Sequence, residues 1–177
     1  MGDGSHQVYP QSHSGSRLAV SGSTSNDPVG IGDADELWHA HTGTADARTV
    51  AAFRHSFGEW LDRHLELGEE RVADIVLATD EAMSNCADHA YRVVNQVGTM
   101  TLQIVYYPAT TELQVNVVDH GRWLEPDFDP SSVRGRGIVL MRALADDCAI
   151  DGGRDGTTVC LRFHGCPPKS YVFSQAS

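Results

Sequence analysis

The chain has 177 residues, 41% of them hydrophobic, a formal net charge of −11 and four cysteines. That length suits one domain with a tail. No run of about 18 apolar residues is available to span a membrane, and the acidic balance argues against direct binding to nucleic acid, where lysine and arginine on phosphates supply the affinity.

Residues 1–33 are rich in Gly, Ser, His and Asp and are expected to be a disordered N-terminal tail, because they offer little apolar surface against the entropy of ordering. They carry neither a basic, apolar leader nor a myristoylation signal after Met1-Gly2, so the chain reads as cytoplasmic. The domain is expected over residues 34–164, and residues 165–177, beginning at Pro167-Pro168 and turning polar, as a flexible C-terminal tail. Leu37 to His41 predicts a short strand. Val50, Phe53, Phe57, Trp60, Leu61 and Leu65 then recur at helical spacing, closed by Glu66-Leu67-Gly68. A second helix follows from Val72, Ile75, Val76, Thr79, Met83, Cys86 and Ala90.

After Gly98, two β-branched runs, 99–107 and 112–119, flank Pro108-Ala109-Thr110-Thr111 and read as an antiparallel hairpin. A loop with Pro126 and Pro130 leads to Arg134-Gly135-Arg136-Gly137, a short helix from Ile138 to about Leu144, and two strands near Cys148–Asp151 and Thr157–Phe163. The pattern is α+β: a two-layer sandwich with helices on one face of a mixed or antiparallel sheet. Cys86, Cys148, Cys160 and Cys166 lack the pairing of a zinc or redox motif and read as free thiols, although Cys148 and Cys160 fall on adjacent strands, where a cross-strand contact is conceivable.

Four polar segments carry candidate chemistry. Glu81, Asn85 and His89 stand four apart on the second helix, so they line one strip beside its apolar stripe. A carboxylate and an amide oxygen suit Mg²⁺, which takes oxygen ligands and few of them from protein; alone, the same strip reads more simply as a solvated helix face. Asp119-His120-Gly121 ends a strand, where a fixed carboxylate can accept from an exocyclic amine such as that of adenine, or merely form an Asp turn. Arg134-Gly135-Arg136-Gly137 offers backbone N–H groups and positive charge to phosphate at a helix start, or a basic linker. Gly156-Thr157-Thr158-Val159 supplies hydroxyls to a base pocket, or ordinary strand residues.

Their order decides between these readings. E-A-M-S-N-C-A-D-H-A-Y from Glu81, D-H-G from Asp119, G-R-G-I-V-L-M from Gly135 and G-T-T-V from Gly156 resemble the N, G1, G2 and G3 boxes of the GHKL ATPases, whose fold is the Bergerat type. Within that superfamily the chain looks most like the anti-sigma-factor serine/threonine kinases, over about Glu36 to Phe163. The resemblance implies that Asn85 binds magnesium, that Glu81 is the catalytic base or water-orienting carboxylate, and that His89 supports the pocket or is structural. It further implies that Asp119 binds the adenine amine, with Gly121 allowing close approach and Thr157 assisting through its hydroxyl. Gly135, Gly137 and Ile138 would cradle phosphate, with Arg134 or Arg136 neutralising charge.

ATP and Mg²⁺ are the implied cofactors. An anti-anti-sigma protein of the STAS type and a sigma factor are the implied partners, and a homodimer the implied assembly. Two departures bear on lid closure: Trp123 stands where a second glycine is common, and the stretch between Asp127 and Arg134 is short.

Three rival readings rank below this one. A non-catalytic ATP-binding interaction module fits the same boxes. A histidine-kinase fragment is disfavoured because His55 and His64 lack the proline of a phospho-accepting helix and no long dimerisation hairpin precedes the pocket. A metal-binding protein is suggested by nine histidines, with His39 and His41 leaving a strand on the same side. No third ligand stands at a matching spacing, so these two read as solvent-facing.

Overall fold

The computed structural model describes residues 37–89, 98–121 and 134–170. In chain order they form β1 (Leu37–Thr44), α1 (Ala47–His64), α2 (Glu69–His89), β2 (Thr99–Tyr107), β3 (Glu112–Asp119), α3 (Arg134–Leu144), β4 (Asp147–Gly152) and β5 (Thr157–Phe163). The strands make one sheet in the order β1-β2-β3-β5-β4, and every neighbouring pair is antiparallel. The expected α+β sandwich is therefore present, with the antiparallel of the two sheet alternatives.

Each helix has a local cause. Asp46, in extended backbone, caps α1 by accepting from the Thr49 N–H at 2.8 Å, and Arg63 stands in its last turn, where a cation suits the helix dipole. Glu69 and Glu70 occupy the first turn of α2, the acidic end of the same logic. Alternate residues of β2, β3 and β5, among them Leu102, Ile104, Val115 and Leu161, are fully buried against Phe57 and Leu61 of α1, Ile75 and Met83 of α2 and Met141 of α3.

Three details depart from the expected boundaries. β1 runs on to Thr44, paired residue for residue with β2 up to Thr44↔Thr99. At Gly43 a Cβ would stand 2.7 Å from the Thr49 side chain, so glycine lets α1 close onto the strand. α3 begins at Arg134 rather than Ile138, its glycines lying inside the first turn because tertiary contact overrides their weak helical propensity. Cys148 and Cys160 do fall on adjacent strands, but Cys148 stands opposite Leu161 and Cys160 opposite Ala149, so their side chains leave opposite faces and both are free thiols.

Beyond β5 the chain passes along the end of α1. Cys166 is fully buried, its carbonyl accepts from the Tyr106 hydroxyl at 2.8 Å, and its N–H donates to Thr111 at 2.9 Å. Thr111 has a positive φ of 50°, so this bond holds the β2–β3 turn in a conformation that a β-branched residue rarely adopts. Lys169 donates its N–H to the His64 carbonyl at 2.8 Å and its ammonium to Asp62.

Candidate nucleotide site

Helix α2 forms the wall on which the polar candidates sit. Its 3.6-residue period turns Ile75, Ala78, Ala82, Met83 and Cys86 into the core, and Thr79, also buried, is satisfied by donating to the Ile75 carbonyl at 2.8 Å. Glu81 and Asn85 remain half-buried on the flank that faces α3. Opposite them is Gly137, buried in the first turn of α3. A Cβ there would lie 2.8 Å from Glu81 Oε2 and 3.4 Å from Asn85 Nδ2. The absence of a side chain at Gly137 thus brings the start of α3, whose first-turn N–H groups have no intrahelical partner, against a carboxylate and an amide.

The second half of the site lies at the ends of β3 and β5. Asp119 is buried and stands opposite Thr157 in the strand register. The Gly121 N–H donates to Asp119 Oδ1 at 2.8 Å, and Thr157 donates to the same carboxylate from both its hydroxyl and its N–H. Burial nevertheless pushes the Asp119 carboxyl above the ordinary aspartate range, the hydrogen bonds only partly opposing it. Cys86, one residue on from Asn85, is near enough to feel that charge: burial first, then Asp119, pushes its thiol up to about 12. The thiol therefore stays protonated and is not a nucleophile.

Gly156 completes this end, with a φ of +146° and its Cα packed onto the Asp119 backbone, so that a Cβ would overlap the Asp119 carbonyl. Gly156 opens the last of the four polar segments of the sequence, but the need for glycine there arises from Asp119 across the sheet. Four segments distant in sequence, around residues 81–86, 119–121, 137 and 156–157, thus converge.

The remaining candidates fall as follows. His89 ends α2, and Arg134 and Gly135 open α3, each described by its backbone alone. Arg136 is exposed, and Ile138 is half-buried and packs on the core. Trp123 and residues 127–133 lie outside the described residues. A cleft of about 500 Å³ between the end of α1 and the first turns of α2, lined by Leu61, Leu65, Val72 and Val76 among others, shares no residue with this site.

His39 and His41 differ from the solvent-facing reading. Both are half-buried on the α1 side of β1, their Nε2 atoms 2.7 Å apart and their rings edge to face at 4.3 Å. His41 also tilts over Phe53 at 5.5 Å. Among the described residues no group of three or more His, Cys, Asp or Glu side chains is placed to hold a metal, and no helix is long and apolar enough to cross a membrane.

The family model of the histidine kinase-like ATPase domain matches residues 43–163. The chain is 34% identical over 115 residues to an anti-sigma F factor of Caldanaerobacter subterraneus, covering 59% of this chain and 73% of that protein. It is 28% identical, with the same coverage, to an anti-sigma F factor of Thermoanaerobacter pseudethanolicus. Among solved structures it resembles the RsbU and RsbW domains of Rv1364c from Mycobacterium tuberculosis, with a TM-score of 0.57 and 23% identity over 76% of this chain; that likeness spans 34% of the longer protein and concerns the fold.

Proposed function

The chain belongs to the histidine kinase-like (GHKL) ATPase family, in its anti-sigma-factor kinase-like group, and on that premise we propose that it binds Mg-ATP, phosphorylates a serine or threonine on a STAS-type anti-anti-sigma protein and sequesters a sigma factor. The observation that carries this reading is the meeting of Glu81 and Asn85 with the glycine-opened start of α3, on the same side of the fold as the buried Asp119 carboxylate. Relatives named anti-sigma F factors support the sigma-factor partner. The proposed assembly is a homodimer in the cytoplasm.

The residues present fit the nucleotide. Asp119 and Thr157, with Gly121, offer an acceptor and hydroxyl for the amine edge of adenine, and Gly156 keeps that edge free of side chain. At the other end the first turn of α3 would present backbone N–H groups to phosphate, with Arg134 or Arg136 as the candidate for added charge. The Asn85 amide oxygen would hold Mg²⁺, a hard cation that would neutralise phosphate charge.

Glu81 then orients the partner's hydroxyl and accepts its proton as that oxygen bonds to the γ-phosphorus and ADP leaves. Transfer of this kind is chiefly positioning and electrostatics. Glu81→Gln is expected to retain Mg-ATP affinity and lose phosphorylation of the cognate STAS protein, read by radiolabelled ATP. Undiminished transfer by this variant would remove Glu81 from the reaction. Tight binding by the unaltered chain with no transfer to that partner would instead favour a non-catalytic interaction module.

A further inference from the structure

We propose that His39 and His41 form a binding site for one late first-row divalent cation, such as Zn²⁺ or Cu²⁺, on edge strand β1. The site is separate from the nucleotide residues and does not rest on their assignment. Residues two apart on a strand share a face, so these imidazoles are held side by side by backbone that pairs with β2 from Leu37↔Tyr106 onward. Their Nε2 atoms converge to 2.7 Å. Two nitrogens bound to one cation at about 2.0–2.1 Å are separated by roughly 3 Å, so a small rotation of the rings admits the ion.

The packing of the pair also favours binding over an ordinary contact between rings. The His41 ring is braced by Phe53 at 5.5 Å and by His39 at 4.3 Å, so little side-chain freedom remains to be lost.

The protons balance without an added base. In the metal-free pair one Nε2–H donates to the other Nε2. On binding, that ring takes the Nδ1–H tautomer, so that both Nε2 lone pairs face the ion. Imidazole suits Zn²⁺, Ni²⁺ and Cu²⁺. With two protein ligands, water completes the coordination, in keeping with the lack of a third ligand among the described residues.

The test is Zn²⁺ titration of the full metal-free chain followed by imidazole proton and nitrogen NMR, beside calorimetry of two double variants. The expected result is that substoichiometric Zn²⁺ shifts the His39 and His41 resonances first, and that H39Q/H41Q loses one calorimetric site while H6Q/H13Q keeps it. Ring resonances of His39 and His41 that stay in place at one equivalent of Zn²⁺ would overturn the proposal. So would an unaltered site count in H39Q/H41Q. The NMR arm reads the unaltered protein, so a misfolded variant does not mask the answer, and neither arm depends on nucleotide binding.

Discussion

Asp119 combines burial with a charge that its proposed role requires. An adenine amine needs the carboxylate as acceptor, yet burial raises the proton affinity of this group above the ordinary aspartate range. Mg-ATP affinity should therefore fall as pH is lowered, beginning above the range where exposed aspartates titrate, and Asp119→Asn should abolish tight binding and its pH dependence together. Calorimetry between pH 7.5 and 5, taken as an experimental range of about that width, checks both outcomes. The sign for stability is opposite: with the folded-state proton affinity raised, the contribution of Asp119 is fully favourable below its unfolded pKa and is lost as pH rises through the folded one. The site keeps a carboxylate in a place that favours its neutral form.

Gly137 and Gly156 make a contrasting pair. At Gly137 the nearest atom to an added Cβ is the end of a flexible side chain, Glu81 Oε2. Gly137→Ala should displace Glu81, weakening transfer, while costing the fold about 1 kcal/mol or less by chemical denaturation. At Gly156 the obstacle is backbone, and φ is positive. Gly156→Ala should destabilise by about 1 to 3 kcal/mol and disturb Asp119 as well. If the two variants proved equally unstable, the obstacle at Gly137 would not be the movable end of a side chain.

At the scale of elements, periodicity made most of the architecture legible. Phe57, Trp60 and Leu61 marked α1, Ile75, Thr79, Met83 and Cys86 marked α2, and these residues are buried as their spacing required. The β2–β3 hairpin and β5 were legible for the same reason, since alternation specifies a half-buried strand. What sequence left open depended on contacts between elements. The far end of β1 was missed because Gly43 lowers strand propensity locally but serves the approach of α1. The start of α3 was missed because Gly135 and Gly137 look like loop, although Gly137 is what allows α3 to close on α2.

Because α1 joins the end of the sheet to α2, its packing is a fair gauge of this layer. Leu61 is fully buried, and Leu61→Ala should cost about 2 to 5 kcal/mol in urea unfolding. A loss below about 1 kcal/mol would show that the α1 interface contributes less than its burial implies.

For the molecule as a whole, fold and site have one origin. The sheet order β1-β2-β3-β5-β4 brings the ends of β3 and β5 side by side, which is why Asp119 meets Thr157, and α2 crosses behind them with Glu81 and Asn85 turned towards α3. The order of the four boxes made that convergence legible before any geometry, whereas no single box did. The histidine pair on β1 shows the converse case: a spacing that is weak alone acquires meaning only from the 2.7 Å separation.

The most direct test of the nucleotide site is isothermal titration calorimetry of the full chain with ATP, ADP and GTP, each with and without Mg²⁺, repeated on Asn85→Ala. ATP and ADP are expected to bind more tightly with Mg²⁺, GTP to show no comparable binding, and the variant to lose the magnesium effect. Absence of adenine-nucleotide binding, equal affinity for GTP, or an unchanged magnesium effect in Asn85→Ala would contradict the assignment.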